Sequence, residues 1–382
     1  MIHVCYGLYD GNGRYSKFTG TSILSMFENT RAEVTVHLLH DNTLTEDNRD
    51  KFLYIAEKYN QLIKFYNVEK ICADEIAAIK GIMTDFLKRN FSIGAIFRLL
   101  ITEIFSEDIS KVIYLDSDII VNLDISELWK IPLEDKTIAA VTEMSNNSVW
   151  INYLELCSEE LVDKNDYFNS GVLVLNLNQN RQNEMDNLRD KMKFIAQNPQ
   201  YQCLDQDLLN LCFSTNYLKL PNKFNFFVRE SRLRNEFEVD NRIIHYLGNT
   251  LNLNVQDPFN ALWFSYFEKT AWFDGNVIAR LYENLSNLHI ELKNFAAQVS
   301  WIMSGKIRAF FVDEVNLNVL KAVFFVRDNE EVIELENEER NNKVKIKTTG
   351  SNNHRLYIST NSKGNSSRKY KTLTELQSNR PE

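Results

Sequence analysis

Short runs of β-branched and aromatic residues alternate with segments of helical spacing along the first part of the chain. Strand-like runs include "EVTVHLLHD" and "LIKFYNV", and helix-like segments include "TGTSILSMFENT" and "TEDNRDKFLYIAEKYN", which opens on a threonine suited to a cap. Strands and helices that alternate at this distance predict βαβ units and a mostly parallel sheet. We therefore expect an α/β fold, with "SIGAIFRLLITEIF" and "DQDLLNLCF" as further helices and "TIAAVTE" as a further strand.

The pattern changes near residue 275. The segment "GNVIARLYENLSNLHIELKNFAAQVSWIMSG" has helical spacing, and the β-prone pieces "VFFV", "VIEL", "VKIK" and "LYIS" follow it, separated by Asn, Glu, Gly and Ser. We place a boundary at "TAWFDGN". This divides the chain into a first domain, residues 1–272, and a smaller C-terminal appendage, residues 273–382.

Two acids follow directly after an apolar run. Residues 112–115 form a near-continuous β-prone run, typical of a strand buried on both faces, and Asp116 and Asp118 come next. In open α/β sheets the ligand crevice lies at the carboxyl ends of the strands, where crowded carboxylates need a cation or hydrogen-bond donors. Two interpretations remain, a metal site or solvated acids that cap a helix, because Asp is also favoured at caps.

The composition is that of a protein with a large apolar core. Of 382 residues, 44% are hydrophobic and 12% aromatic, and no apolar stretch reaches the roughly 20 residues that span a bilayer. The cysteines are odd in number without a CxxC pair, which favours free thiols in a reducing cytoplasm over a zinc site. Residues 341–382 hold nine basic residues against two acidic ones, whereas the net charge is −9, so the remainder is strongly acidic. This acidic body argues against a nucleic-acid partner.

Several segments, taken in order, resemble one known family, the retaining glycosyltransferases of family 8, which include bacterial galactosyl- and glucosyltransferases. The segments are "CYGLYDGNGRY", "FSIGAIFRLL", "LDSD", "YFNSGVLVLN", "LDQDLLN" and "HYLG". The resemblance covers roughly residues 1–272 and implies the Rossmann-like fold known as GT-A. It also implies a nucleotide-diphospho-sugar donor and a divalent metal, with Mn²⁺ as the first choice and Mg²⁺ as the second.

The resemblance further implies a role for particular residues. Donor binding is implied for Cys5, Tyr6, Asp10, Tyr15, Arg98, Asp116, Ser117, Asn169, Ser170 and Gly248. Metal binding is implied for Asp116, Asp118 and His245, and a catalytic role for Asp205 and Gln206. Taken alone, each has a structural alternative, such as a half-buried histidine, an Asn-Ser-Gly turn, a helix cap at Asp205 or an ion pair at Arg98. The ordered set favours the functional interpretation.

The activity that the resemblance implies is metal-dependent transfer of a hexose, galactose or glucose, from a UDP-sugar to an acceptor hydroxyl, with the anomeric configuration retained. The expected acceptor is a glycan of a glycoprotein such as a serine-rich adhesin, and lipopolysaccharide-type glycans are the alternative. The appendage either holds this acceptor or braces the first domain. Two routes to retention stay open: Asp205 as a carboxylate nucleophile, and a same-face attack supported by Gln206.

One motif departs from the family pattern. The family's last motif usually runs His-x-x-Gly-x-x-Lys-Pro-Trp, whereas this chain has "HYLGNTLNL", with Leu251 in place of the lysine that contacts the diphosphate. Arg98, Lys88 and Arg89 are the candidate replacements for that charge. The missing lysine keeps a second hypothesis open, a module that binds a nucleotide-sugar or glycan without turnover.

Overall fold

The chain divides into two compact units, Met1–Phe273 and Asp274–Glu382. The computed structural model describes residues 1–83, 93–143, 163, 165–182, 185–198, 201, 203–247, 251 and 256–276, together with four strands between residues 307 and 347. Within these ranges the cysteines are free thiols, namely Cys5, Cys72, Cys203 and Cys212. The helices of the same ranges are all too short or too polar to cross a membrane.

The strands of the first unit form two sheets. They are β1 (Ile2–Leu8), β2 (Val34–His40), β3 (Leu62–Asn67), β4 (Lys111–Leu115), β5 (Ile119–Asn122), β6 (Ile138–Thr142), β7 (Phe168–Asn176), β8 (Tyr217–Lys219), β9 (Phe226–Phe227) and β10 (Arg242–His245). The larger sheet has seven strands in the order β3-β2-β1-β4-β7-β6-β8. In it β7 runs antiparallel to β4 and β6, and the other neighbouring pairs are parallel. The predicted α/β class with a mostly parallel sheet is confirmed.

Helices pack on both faces of the larger sheet. They are α1 (Tyr15–Asn29), α2 (Glu46–Lys58), α3 (Val68–Ile71), α4 (Ala73–Ile82), α5 (Ile101–Ile104), α6 (Ser126–Trp129), α7 (Leu177–Gln182), α8 (Met185–Gln197), α9 (Leu204–Phe213), α10 (Val228–Arg234) and α11 (Pro258–Phe267), with 3₁₀ helices at Ile93–Leu100 and Asn222–Phe224. Alternate residues of β1 enter different core clusters, Val4 and Tyr6 one and Cys5 the other. The predicted cap of α2 is confirmed, because the Thr45 side chain accepts from the N–H of Asn48.

The segment "IGAIFRLL", predicted as helical, winds as a 3₁₀ helix that lies directly on β1. A Cβ added to Gly7 of β1 would lie 2.7 Å from the carbonyl oxygen of Gly94 in this helix. Backbones can approach this closely only where a side chain is missing. The close approach leaves Arg98, which is buried in the same helix, beside the carboxyl end of β4.

The smaller sheet meets the larger one at the two acids. Its order is β5-β10-β9, with β5 antiparallel to β10 and β10 parallel to β9. Strand β5 begins at Ile119, which pairs with His245, the last residue of β10. Residues 116–118 therefore form the link between the two sheets.

The second unit contains an antiparallel sheet of four strands in chain order. The strands are β11 (Ile307–Phe311), β12 (Ala322–Val326), β13 (Glu331–Asn337) and β14 (Val344–Lys347). The pieces "VFFV", "VIEL" and "VKIK" lie in β12, β13 and β14. Residues 277–305 of the predicted helical segment and the piece "LYIS" lie outside the described residues.

Candidate active site

The backbone of the Asp-Ser-Asp link is held from three directions. The N–H of Asp116 donates to the carbonyl oxygen of Gly171 on β7 (2.8 Å), and the carbonyl oxygen of Asp118 accepts from the N–H of Tyr246 after β10 (2.9 Å). Between them, the hydroxyl of Ser117 is 2.8 Å from that of Thr19 on α1. These contacts fix where the two carboxylates leave the chain.

Asp116, Asp118 and His245 form a cluster whose candidate ligand atoms all lie within 4.8 Å of one another. Nε2 of His245 lies 3.2 Å from Oδ1 of Asp118. The space beside the cluster exists because residue 171 is glycine. A Cβ there would lie 2.2 Å from Cε1 of His245 and 2.9 Å from Oδ2 of Asp116. Two carboxylates and an imidazole are a donor set that fits a divalent cation.

The electrostatics of the cluster favour added positive charge. Burial raises the pKa of Asp116, even though the guanidinium of Arg98 opposes the change. Burial alone would lower the pKa of His245, but the charge of Asp118, with that of Asp116, outweighs it and raises the pKa. The carboxylate of Asp116 therefore bears a desolvation cost that a bound divalent cation would offset.

Arg98 connects Asp116, a predicted metal ligand, to Asp205, a predicted catalytic residue. Its guanidinium donates to Oδ1 of Asp116 (2.7 Å) and to the carbonyl oxygen of Ser170 (2.7 Å), and Nε lies 3.2 Å from Oδ2 of Asp205. The group also lies over the ring of Tyr114, 4.4 Å from its centroid. Burial would lower the pKa of Arg98, but the charge of Asp116 raises it, so the residue stays cationic.

Asp205 and Gln206 lie in the first turn of α9, against β7. Oε1 of Gln206 accepts from the N–H of Ser170 (3.0 Å), and the Ser170 hydroxyl is 3.4 Å from Oδ2 of Asp205. The cap interpretation of Asp205 does not hold, because the helix begins at Leu204 with Cys203 as its N-cap residue, so Asp205 lies inside the first turn. The carboxylate of Asp205 pairs with Arg98 instead.

A line of hydrogen-bonded, buried side chains runs from Glu143 through Asn169 and Asn225 to Nδ1 of His245. Oδ1 of Asn169 accepts from the N–H of Gly171 (2.9 Å) and from Nδ2 of Asn225 (2.8 Å), and Nδ1 of His245 is 2.9 Å from Oδ1 of Asn225. Nδ2 of Asn169 donates to Glu143 (3.1 Å). Asn225 and Glu143 belong to none of the family motifs quoted above. The one sequence signal for Glu143 is that, like Asp116, it directly follows a strand.

Some residues of the predicted nucleotide-binding loop, "CYGLYDGNGRY", make contacts that stabilise the fold. Cys5 and Tyr6 are fully buried in β1. The carboxylate of Asp10 accepts from the N–H of Tyr15 (2.8 Å), the hydroxyl of Ser16 (2.5 Å) and Nδ2 of Asn48 (3.0 Å), so it anchors the start of α1.

The remaining residues of interest are Tyr15 and Gly248, predicted to bind the donor, and the position of the missing lysine with its candidate replacements. Tyr15 is 46% exposed, and its pKa is raised by partial burial and by the nearby charge of Asp118. Leu251 packs against the apolar core. Gly248, Lys88 and Arg89 lie outside the described residues. Donor contacts by Tyr15, Gly248, Lys88 and Arg89 stay predictions.

The sequence profile of glycosyl transferase family 8 matches residues 8–250, more than half of the chain. The chain belongs to glycosyltransferase family 8. Among the relatives of this chain, General stress protein A of Bacillus subtilis is 24% identical over 278 residues, which are 68% of this chain and 91% of the relative. A lipopolysaccharide 1,2-glucosyltransferase of Escherichia coli is 27% identical over 250 residues, 62% of this chain and 69% of the relative.

A solved structure also shares the fold of this chain. The galactosyltransferase LgtC, solved in complex with donor and acceptor sugar analogues, matches with a TM-score of 0.57 and 19% identity, over 72% of this chain and 98% of its own. Similarity at this level of identity concerns the fold alone. The expected GT-A architecture is confirmed.

Proposed function

We propose that this family 8 protein is a metal-dependent, retaining hexosyltransferase that moves galactose or glucose from a UDP-sugar to an acceptor hydroxyl. The observation that carries the proposal is the cluster of Asp116, Asp118 and His245, with ligand atoms within 4.8 Å of one another, next to the Arg98–Asp205 ion pair. Such a cluster at the carboxyl end of a GT-A sheet suits a donor with a charged diphosphate.

The cluster would hold Mn²⁺, or Mg²⁺ as the second choice, because its oxygen and imidazole donors suit these ions and leave coordination positions for phosphate oxygens. When bound, the ion supplies Lewis-acid stabilisation of the leaving diphosphate. Arg98 orients Asp116 through its 2.7 Å hydrogen bond. Gly171 keeps the volume beside the cluster open.

For the transfer step we favour same-face attack, in which the leaving phosphate takes the proton of the acceptor hydroxyl. Asp205 lies 3.2 Å from Nε of Arg98, and a carboxylate held in an ion pair is a weaker nucleophile than a free one. In this role Asp205 stabilises the positive charge that develops on the sugar, and Gln206 beside it contacts the sugar or the acceptor. A double displacement through Asp205 is the alternative route.

We propose a glycan hydroxyl as the acceptor, on a glycoprotein such as a serine-rich adhesin. The relative named as a lipopolysaccharide 1,2-glucosyltransferase supports glycan acceptors in general and keeps lipopolysaccharide-type glycans as the alternative. The free thiols of the described cysteines support a reducing, cytoplasmic location.

A screen of UDP-sugars tests the enzyme proposal against the binding module that Leu251 keeps open. Purified full-length protein is incubated with each UDP-hexose, with Mn²⁺, Mg²⁺ or a chelator, with and without acceptor glycans. We expect one UDP-hexose to release UDP with Mn²⁺ and to lose this turnover on chelation, and the product to keep the anomeric configuration by NMR. UDP binding without release from any donor, even with acceptors present, would support the binding module instead.

A further inference from the structure

We propose that Asn225 is a positioning residue that holds His245 in the tautomer and orientation needed to bind a divalent cation. The inference rests on the metal site of the proposed function. Asn225 is 1% exposed and directly precedes β9. It contacts Nδ1 of His245, whereas Asp118 contacts Nε2 of the same ring.

Fixed donors and acceptors determine which way each amide in the line faces. The N–H of Gly171 can only donate, so the atom of Asn169 that lies 2.9 Å from it is the oxygen Oδ1. Nδ2 of Asn169 then faces the carboxylate of Glu143 (3.1 Å), which can accept. Because Oδ1 of Asn169 can only accept, Asn225 must present its NH₂ group there (2.8 Å). The oxygen of Asn225 therefore faces His245.

This orientation determines the tautomer of the histidine. Oδ1 of Asn225 lies 2.9 Å from Nδ1 of His245 and can only accept, so Nδ1 carries a proton. In the neutral ring the lone pair then belongs to Nε2, the nitrogen that faces Asp118 at 3.2 Å. Loss of such an outer partner typically weakens metal binding by roughly 10–100-fold.

Binding of Mn²⁺ to the full chain, measured by titration calorimetry without donor sugar, tests the inference apart from turnover. Asn225→Leu keeps the number of side-chain heavy atoms and the branch at Cγ but removes both hydrogen bonds, so the Kd for Mn²⁺ is expected to rise by about 10–100-fold. Asn225→Asp keeps an acceptor for Nδ1–H but sets a carboxylate against Oδ1 of Asn169. It is therefore expected to lower the Tm while keeping the Kd close to that of the wild type.

The matched control is Asn29→Leu, which removes an amide that donates to the carbonyl oxygen of Val121 and to the hydroxyl of Tyr266. It should lower the Tm without changing the Kd for Mn²⁺. A merely structural role for Asn225 would instead give equal losses of affinity in the Leu and Asp variants, which overturns the inference.

The outcomes separate this inference from the proposed function. Unchanged affinity in Asn225→Leu overturns the inference and leaves the metal site intact, whereas a wild type that binds no Mn²⁺ overturns both. If the variants do not fold, ¹⁵N–¹H spectra of the wild type loaded with Mg²⁺ still decide the matter. A proton on Nδ1 of His245 is expected, and a proton on Nε2 would contradict it.

Discussion

Asp118 is the residue whose replacement tests the metal site at the lowest structural cost. Its side chain is 33% exposed and contacts His245, and asparagine keeps its size while removing its charge. We expect Asp118→Asn to lower sugar transfer by about 100-fold or more, because it removes a negative charge from the proposed cation site. Initial rates at saturating Mn²⁺ are the measurement. Asp47→Asn, on the exposed side of α2, is the control, and wild-type rates for Asp118→Asn in chelator-treated buffer would make the assignment wrong.

Gly171 tests the same site by volume instead of charge. An alanine Cβ at this position would lie 2.2 Å from Cε1 of His245, so the ring must move out of the cluster. We expect Gly171→Ala to weaken Mn²⁺ binding by at least about tenfold, the scale typical of a misplaced ligand. Gly81→Ala is the matched control, because a Cβ there meets no atom within 4 Å. Equal Mn²⁺ affinity in both variants would show that the cluster tolerates the displacement.

Arg98 is expected to contribute more to stability than a surface arginine. Its side chain is 5% exposed and pairs with both Asp116 and Asp205, so Arg98→Ala leaves one partly buried and one buried carboxylate without their partner. We expect a loss of about 3–5 kcal/mol in the free energy of unfolding, measured by urea denaturation, together with a large drop in kcat.

These contacts also bear on whether Arg98 replaces the lysine absent at position 251. If it does, Arg98→Ala also weakens UDP binding by calorimetry, and Leu251→Lys leaves donor binding equal or tighter. UDP affinity unchanged by Arg98→Ala would dismiss the replacement.

At the scale of elements, periodicity in the sequence was enough to predict β2 and β3, helices α1 and α2, and the end of β4 directly before Asp116. It could not predict that β7 runs antiparallel, because a continuous apolar run such as "GVLVLNL" has the same pattern in either direction. It also could not place Asn225 beside His245. That contact depends on β9 pairing with β10, and β10 pairing with β5 more than 100 residues earlier in the chain.

A pH dependence of stability arises where β1, β2 and β3 meet. His37 on β2 is buried between Nδ1 of His3 and the hydroxyl of Tyr66, each 3.0 Å away, and burial, with the charges of His3 and Lys64, lowers its pKa to about 3. The unfolded chain takes up this proton below its ordinary pKa of about 6.5, whereas the folded protein resists it. Stability should therefore fall as the pH is lowered from about 6.5 towards 3, by up to about 1.4 kcal/mol per pH unit from this residue.

His37→Phe isolates this contribution. Phenylalanine fills the site beside Phe105 without a titrating group, so urea denaturation between pH 4 and 7 should give a flatter pH profile than the wild type. His3, whose pKa is also lowered by burial, leaves a residual slope in the variant. Identical profiles for the two proteins would show that His37 is not the source.

At the scale of the whole molecule, the catalytic residues proposed here all belong to the first compact unit, Met1–Phe273. Trp272, near the end of that unit, packs against its helices. Its Nε1 donates to Oδ1 of Asn48 on α2 (2.7 Å), and a Cβ on Gly20 of α1 would lie 2.0 Å from its ring. Asn48 also donates to Asp10, which anchors the predicted nucleotide loop. A truncation must therefore keep Trp272.

Removing the chain from residue 275 onwards separates donor chemistry from recognition of a large acceptor. The cluster, Arg98 and Asp205 are retained in the truncated protein, so we expect UDP binding and slow hydrolysis of the UDP-sugar within about twofold of the full chain. If the appendage holds a macromolecular acceptor, transfer to that acceptor is lost while transfer to a small sugar acceptor persists. Calorimetry with UDP and rate assays with both acceptors measure the difference. A soluble truncated protein that glycosylates the large acceptor at the full rate would instead leave the appendage with the bracing role, or with none in transfer.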